Sequence, residues 1–527
     1  MSRFVSTPTI GHSRSRFDLS HGVKTSATVG YLYPNMCLEV LPGDTFKVDD
    51  TFVCRVASSF LRCPMDNLVI DQYFFFVPNR LVSRWEEIMG ENKSGPYAPT
   101  TVVTAPVTGT PFDCSVKTIP HYMGVSAGTV PAGLNVMPFR AFALIYDQWF
   151  RDQNFISPMQ VETGDWIVSE CPNNNAWSPG NYMGKPPKVG KMHDIFTSCL
   201  PMPQKGPAVG VNSDITTGSS LHNVGTIKFG NNDSNVSGYL GLSNGQLKAN
   251  SSSFSPVYNI SSTNLETSDI TVTDIRYAFQ LQRILERANR SGSRYREQLF
   301  SIWNVQAPDS RIQIPEYLGG RRMPLSIQQV AQTQRGEGDT ALGSIGSFSL
   351  STGKNGFTKS FVEHGYIIGC YCIRQQAHVY QQGLQRMFFR KNRYDFYDPA
   401  LAHISEQPIF ANEIQMKVSS EAQYVDSRIF GYNEAWAHYR QQQSFVSGDM
   451  SSQSQTSYDI WHFGDWYDSD SDVTLGQDFI EETPVNVDRT LAVPSTSADQ
   501  FLLDFWHGVD AVRVMPEYSV PGLVDHG

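Results

Sequence analysis

Apolar residues recur at two different periods in this chain. Residues 37–41, CLEVL, alternate; Pro42-Gly43-Asp44 turns the chain; and TFVCRV at 51–56 places Phe52, Cys54 and Val56 on one face. A period of two marks a half-buried strand. LVIDQYFFFV at 68–77 is almost continuously apolar, which predicts a strand covered on both faces. SFVEHGYIIGCYCIR at 360–374 predicts a buried strand, with Cys370 and Cys372 on one face. PIFANEIQMKV, QYVDSRIFGY and AVRVMPEY, all further on, read the same way.

Helical spacing is rarer. LVSRWEEIMG, behind Asn79, predicts a short helix that stops at Gly90. Pro138 opens another, since proline is tolerated in the first turn. Phe139, Phe142, Ala143, Tyr146, Trp149 and Phe150 then fall on one face, a core stripe rather than a ligand box. From Asp274 a long helix is expected, with Ile275, Ala278, Leu281, Leu285, Ala288 and Leu299 as a buried stripe. Gly292 predicts a break in it. Its other faces are rich in arginine, from Arg276 to Arg296, so the helix wants a core beneath it and an acidic partner above.

The strands lie far apart in sequence, so their pairings are non-local. Spacing alone points to a β-sandwich, and a jelly roll with large insertions suits it better than a meander. Composition agrees. Aromatic residues make up 12% and charged residues only 17%, with 30 Pro and 41 Gly, which fits a loop-rich β body that buries surface against neighbours. A chain of 527 residues has ample length for a large core.

The net charge of −10 excludes a nucleic-acid binder by bulk charge. Its distribution matters more. Residues 1–24 carry Arg3, Arg14, Arg16 and Lys24 against Asp18, whereas residues 449–510 carry thirteen Asp or Glu against Arg489. Residues 1–30 read as an extended basic arm that either faces packaged DNA through Arg14 and Arg16 or ties neighbouring subunits together. Residues 31–202 and 271–527 read as two parts of the β body, both with helical insertions. Between them, 203–270 is dominated by Gly, Ser, Asn and Thr and reads as a surface insertion with weak strands.

Eight cysteines form no CxxC pair, which predicts buried thiols in a reducing compartment. The first residues lack the apolar core of a signal peptide, and no run approaches the roughly 20 apolar residues that cross a bilayer, so no membrane insertion is expected.

Several blocks carry a resemblance. "AFQLQRILERANRSGSRYREQLFSIWNV…PDSRIQIPEYLGG" resembles the central signature of the gokushovirus major capsid proteins, the coats of small single-stranded DNA bacteriophages in the Microviridae. "PFRAFALIYDQWFRDQN", "FGYNEAWAHYR", "DFIEETPVNVDRTLAV" and "MPEYSVPGLVDHG" resemble further blocks of that family, in its order and across most of the chain. The resemblance implies a mainly β protein, a single eight-stranded antiparallel jelly roll with long loop and helical insertions. It implies pentamers that close into a T=1 icosahedral shell around circular single-stranded DNA. It implies scaffolding and DNA-pilot proteins as partners, assembly in the host bacterial cytoplasm and residence in the virion. The 203–270 insertion would be a protrusion at the threefold axes, used on a host surface receptor. The insertion itself matches nothing residue by residue.

Candidate chemistry is sparse. RGEGDTALGSIG at 335–346 lacks the ending of a phosphate loop. Asp468, Asp470 and Asp472 have a calcium-like spacing, but Val473 stands where the turn glycine belongs and Phe479 where the closing Glu belongs, so no EF-hand is present and no metal or cofactor is expected. His438 and His462 belong to no metal or catalytic pattern and read as structural. LQRMFFRKNRYDFY at 384–397 interleaves Arg386, Arg390, Lys391 and Arg393 with five aromatics. That composition suits single-stranded DNA, where cations hold phosphates and rings stack on bases. It suits a subunit contact with the acidic C-terminal region better still. The competing class is an enzyme, a β-jelly-roll hydrolase or lyase acting on polysaccharide with carboxylates from that region.

Overall fold

The structure is a computed structural model. It describes residues 13–89, 91, 104–164, 176–207, 209, 215–217, 240–243, 246–249, 265–267, 272–292, 294–331, 345–417, 424–468 and 471–518. The chain divides into two compact units, Met1–Pro203 with Gly292–Gly527, and Gln204–Ser291.

The larger unit is built on two antiparallel sheets. Apart from a short antiparallel pair, Phe112–Cys114 with Gly128–Val130, its strands are β1 (Ser15–Asp18), β2 (His21–Ala27), β3 (Leu32–Val40), β4 (Thr45–Val56), β5 (Leu68–Pro78), β6 (Glu316–Pro324), β7 (Ile327–Ala331), β8 (Ile345–Ser360), β9 (Gly365–Gln375), β10 (Glu406–Phe410), β11 (Ile429–Glu434) and β12 (Phe501–Arg513). The first sheet runs β1–β12–β4–β8–β7, with β2 also paired to β12. The second runs β6–β5–β9–β3. In chain order β2, β4, β8 and β12 go to the first sheet and β3, β5, β6 and β9 to the second. That alternation is jelly-roll connectivity. The strand count is larger than the expected eight, because β1 and β7 extend the first sheet; β10 and β11 pair separately. Residues 15–27, within the stretch read as an arm, are laid into the first sheet through β1 and β2.

Side-chain period decides what each sheet buries. β12 alternates strictly over Phe501, Leu503, Phe505, His507 and Val509 inward, with Leu502, Asp504 and Trp506 outward. β4 matches it with Phe46, Val48, Asp50, Phe52 and Cys54 inward. These meet Ile70, Phe74, Phe76, Ile367, Tyr371 and Ile373 of the second sheet, in two apolar clusters. Each fully buried side chain of this size contributes about 1.5–3 kcal/mol. A polar belt lies at the positions between the clusters. His507 Nδ1 is 3.1 Å from Asp50 Oδ1, both fully buried, and Gln72 donates to the other Asp50 oxygen.

The second sheet is buried on its other face too, as the continuous apolar runs of β5 and β9 predict. Helix α1 (Met137–Ile145), continued as a π-turn over Tyr146–Phe150, covers it. Phe139, Phe142 and Tyr146 pack with Phe75, Ile368, Cys370 and Cys372. Arg140 is wholly buried in this layer because its guanidinium donates to the Val82 and Gly164 carbonyls.

Among the described cysteines all seven are free, and five are buried. Burial pushes the Cys54 and Cys372 thiols up to about 12, which keeps them inert. Cys171 lies outside the described residues.

The smaller unit contains helix α2 (Val272–Ser291) and two short antiparallel pairs, 240–243 with 246–249 and 215–217 with 265–267. The rest of the 203–270 composition shift lies largely outside the described residues. Gly292, at φ +93°, ends α2 at the expected break, and α3 (Tyr295–Trp303) follows. The expected buried stripe is not buried. Ala278, Leu281, Leu285, Ala288 and Leu299 are only half-covered and Ile275 is exposed, and no core cluster among the described residues includes either helix.

Candidate assembly and nucleic-acid surfaces

The 384–397 run is a loop of two 3₁₀ turns, Arg386–Phe389 and Arg393–Asp395. Most of its cations are turned to its own scaffold. Arg386 donates to Glu413 Oε1 at 2.6 Å and lies 4.9 Å over the Phe410 ring. Glu413 is buried, and burial raises its pKa more than Arg386 lowers it. Arg390 donates to the Asp395 carbonyl and stacks 4.4 Å over Tyr439. Lys391 pairs with Asp426 at 2.9 Å and sits beside the Tyr424 ring. Asp395 accepts from the backbone N–H groups of Asn392 and Lys391, which hold its carboxyl below the usual range. Arg393 is exposed.

With most cations engaged, the rings are what the loop presents outward. Phe388 is 66% and Tyr394 76% exposed, and Phe396, Tyr397 and Tyr439 are exposed beside them. Trp436 anchors the patch from beneath: it is buried and donates from Nε1 to the Leu401 carbonyl at 2.9 Å. His438 lies in the same block. Burial lowers its pKa to about 4, with Arg386 and Arg390 adding to the effect, so it is neutral and structural near pH 7. Helix α3 carries a second patch of exposed rings, Tyr295, Phe300 and Trp303. Monomeric proteins rarely leave aromatics clustered in water, whereas interfaces are enriched in them.

The other two site candidates lie at the N-terminus. Arg14 is exposed. Arg16, on β1, forks onto Asp510 of β12 with Nε 3.1 Å from Oδ1. That bond raises the Arg16 pKa and staples β1 to β12.

The acidic region is also internally neutralised. Asp472 meets Lys417 at 3.1 Å and Arg428 at 2.7 Å. Asp465 is buried with Lys191, His378 and Asn486 around it. Asp470 and most of 335–346 fall outside the described residues. Among the described residues no group of three or more His, Cys, Asp or Glu is placed to hold a metal ion. None of their helices is long and apolar enough to cross a membrane.

The Lys191–Asp465–His378–Glu482 network was not legible in the sequence, because its members come from four distant segments with no local spacing. His462, by contrast, is structural as expected: its Nε2 lies 2.8 Å from the Met450 carbonyl and its Nδ1 accepts from Gly464 N–H.

A jelly-roll wall flanked by exposed aromatic patches defines a structural subunit, one that works by surface contact. The chain belongs to the phage capsid family described as "Capsid protein (F protein)", which matches residues 5–523. It is 33% identical to capsid protein VP1 of Chlamydia phage 1, over 99% of this chain and 98% of that one. It is 34% identical to the VP1 proteins of Bdellovibrio phage phiMH2K, over 98% and 97% of the two chains, and of Spiroplasma virus 4, over 97% and 95%. The gokushovirus resemblance therefore holds along the whole chain. The protein is a major capsid protein of the virion and a structural component, which removes the polysaccharide enzyme from consideration.

Proposed function

We propose that copies of this chain associate around fivefold axes and close into a T=1 icosahedral shell around a circular single-stranded DNA genome. The observation that carries this reading is the pair of exposed aromatic patches, at Phe388, Tyr394 and Phe396 and at Tyr295, Phe300 and Trp303, on a chain of the capsid family. Each is a surface that water leaves unsatisfied and a neighbouring copy would cover. Many modest contacts, repeated on every copy, add up to a stable closed particle. The half-covered face of α2 is completed in the same way, by a neighbour.

The internal pairings of Arg386, Arg390 and Lys391 favour the subunit-contact reading of 384–397 over the DNA reading. Arg14 and Arg393, both exposed, are the members of the six best suited to phosphates. In this reading the 203–270 insertion forms the threefold protrusion that meets the host receptor, and scaffolding and DNA-pilot proteins assist assembly in the bacterial cytoplasm. Electron microscopy of the purified protein tests the proposal. Pentameric rings or closed shells are expected, and material that stays monomeric across ionic strengths refutes it. Deleting 203–270 should spare the shell and abolish adsorption.

A further inference from the structure

The two sheets differ in what covers them. The second carries α1 and its cluster on its outer face, whereas among the described residues no element of this unit covers the outer face of the first over β12, β4 and β8. At the centre of the bare face stands Trp506, 56% exposed. The register places it beside Gly22 on one side and Thr51, then Lys354, on the other. Gly22 has no side chain, and the indole passes within ordinary contact distance of where a Cβ would stand. The ring therefore lies close over bare backbone and turns its other face outward.

The groove around Trp506 has a volume of about 960 Å³ and is lined by Lys24, Arg321 and Lys354 against one carboxylate, Asp504. Lys24 and Asp504 meet at 3.5 Å, both largely exposed. On a chain of net charge −10 this groove carries an excess of cations. Across β2 it adjoins a second cavity of about 750 Å³ that shares Gly22 and Lys24. His21, Lys117 and His121 line that cavity, and no carboxylate does. Lys117 is paired with Asp499 at 2.8 Å.

We propose that this bare sheet face is a seat for single-stranded nucleic acid. A base stacks on the outward face of Trp506, and Lys24, Arg321 and Lys354 take phosphates. Every base has a π-face and every nucleotide a phosphate, so binding of this kind is tolerant of sequence. Duplex DNA cannot use it, because its bases are stacked on one another. The proposal rests on the reading that the shell encloses single-stranded DNA, and it adds where the strand lies: the bare sheet lines the lumen.

Titration of the purified capsid protein with a short oligothymidylate tests it through tryptophan fluorescence. Quenching that weakens steeply with added salt is expected. Trp506→Ala should weaken binding by at least about tenfold, and Trp506→Phe, which keeps a stacking ring, should stay within about threefold. Lys354→Glu should weaken binding and reduce its salt dependence, with the melting temperature unchanged. Equal affinity of wild type and Trp506→Ala would overturn the proposal. So would a Trp506 that is shielded from a small soluble quencher in DNA-free shells, because a second copy would then occupy the face. Normal shells with unchanged DNA content in both variants would remove this seat and leave the shell reading intact. Failure of the wild-type chain to form shells would remove the shell reading instead.

Discussion

The Lys191 ammonium lies 3.4 Å from the Asp465 carboxylate, with the two side chains only 2% and 4% exposed. His378 bridges onward, its Nδ1 3.1 Å from Asp465 and its Nε2 3.1 Å from Glu482. Asn486 completes the Asp465 shell. The network ties β9's exit to the C-terminal third of the chain, and its charges are acceptable in the interior only because each has a partner.

Stability should therefore depend on pH in a defined window. Burial alone would lower the His378 pKa, but Glu482 and Asp465 raise it to about 9 from 6.5. The folded value lies above the unfolded one, so this contribution is fully present below pH 6.5 and is lost as pH rises through about 9. Asp465 runs the other way. Burial works to raise its pKa, yet Lys191, His378 and Asn486 outweigh it and hold it at about 2, from 3.8. Its contribution is present above pH ~4 and is lost as pH falls through about 2. Thermal melts of His378→Gln should lack the alkaline decline expected of wild type, worth on the order of 3 kcal/mol. An identical alkaline limb in the two proteins would rule out this assignment.

Arg386→Met separates a structural from a DNA-binding role. The variant strands the buried Glu413 carboxylate, which typically costs about 3–5 kcal/mol. Chemical denaturation should show that loss. Lys391→Met breaks an exposed pair and should cost less than about 1 kcal/mol. Equal stability of the two variants would contradict the geometry.

Phe388→Ser with Tyr394→Ser should act on assembly and not on folding. Both rings are exposed in the single chain, so the melting temperature of the unassembled protein should move little. Particle yield measured by sedimentation should fall at least tenfold, since aromatic residues dominate interface energetics. Full particle yield would show that the patch faces solvent in the shell.

Much of the sandwich was legible because period and burial agree there. β5 and β9 are continuous apolar runs and are covered on both faces; β12 alternates and is covered on one. The stripe of α1 was equally plain, as the helix packs on its own chain. The stripe of α2 has the same spacing but enters no core cluster among the described residues, and spacing does not say whether the core belongs to the same copy. β1 and β2 were hidden for another reason. Ser15–Asp18 and His21–Ala27 are polar edge segments whose only strand signal is a partner nearly five hundred residues away. The 384–397 run shows a third limit: composition displays arginines and rings, while the carboxylates that engage them, Glu413 and Asp426, lie elsewhere in the chain.

β12 lies inside the first sheet, flanked by β4 on one side and by β1 and β2 on the other. A strand synthesised after every other described strand of its sheet is thus the one that closes the wall. A copy whose translation stops before Phe501 has a slot where that strand should be, open to water on two edges. Such a copy would carry unpaired backbone N–H and C=O groups along that slot, so a truncated chain is expected to lack the finished wall that a lattice position requires.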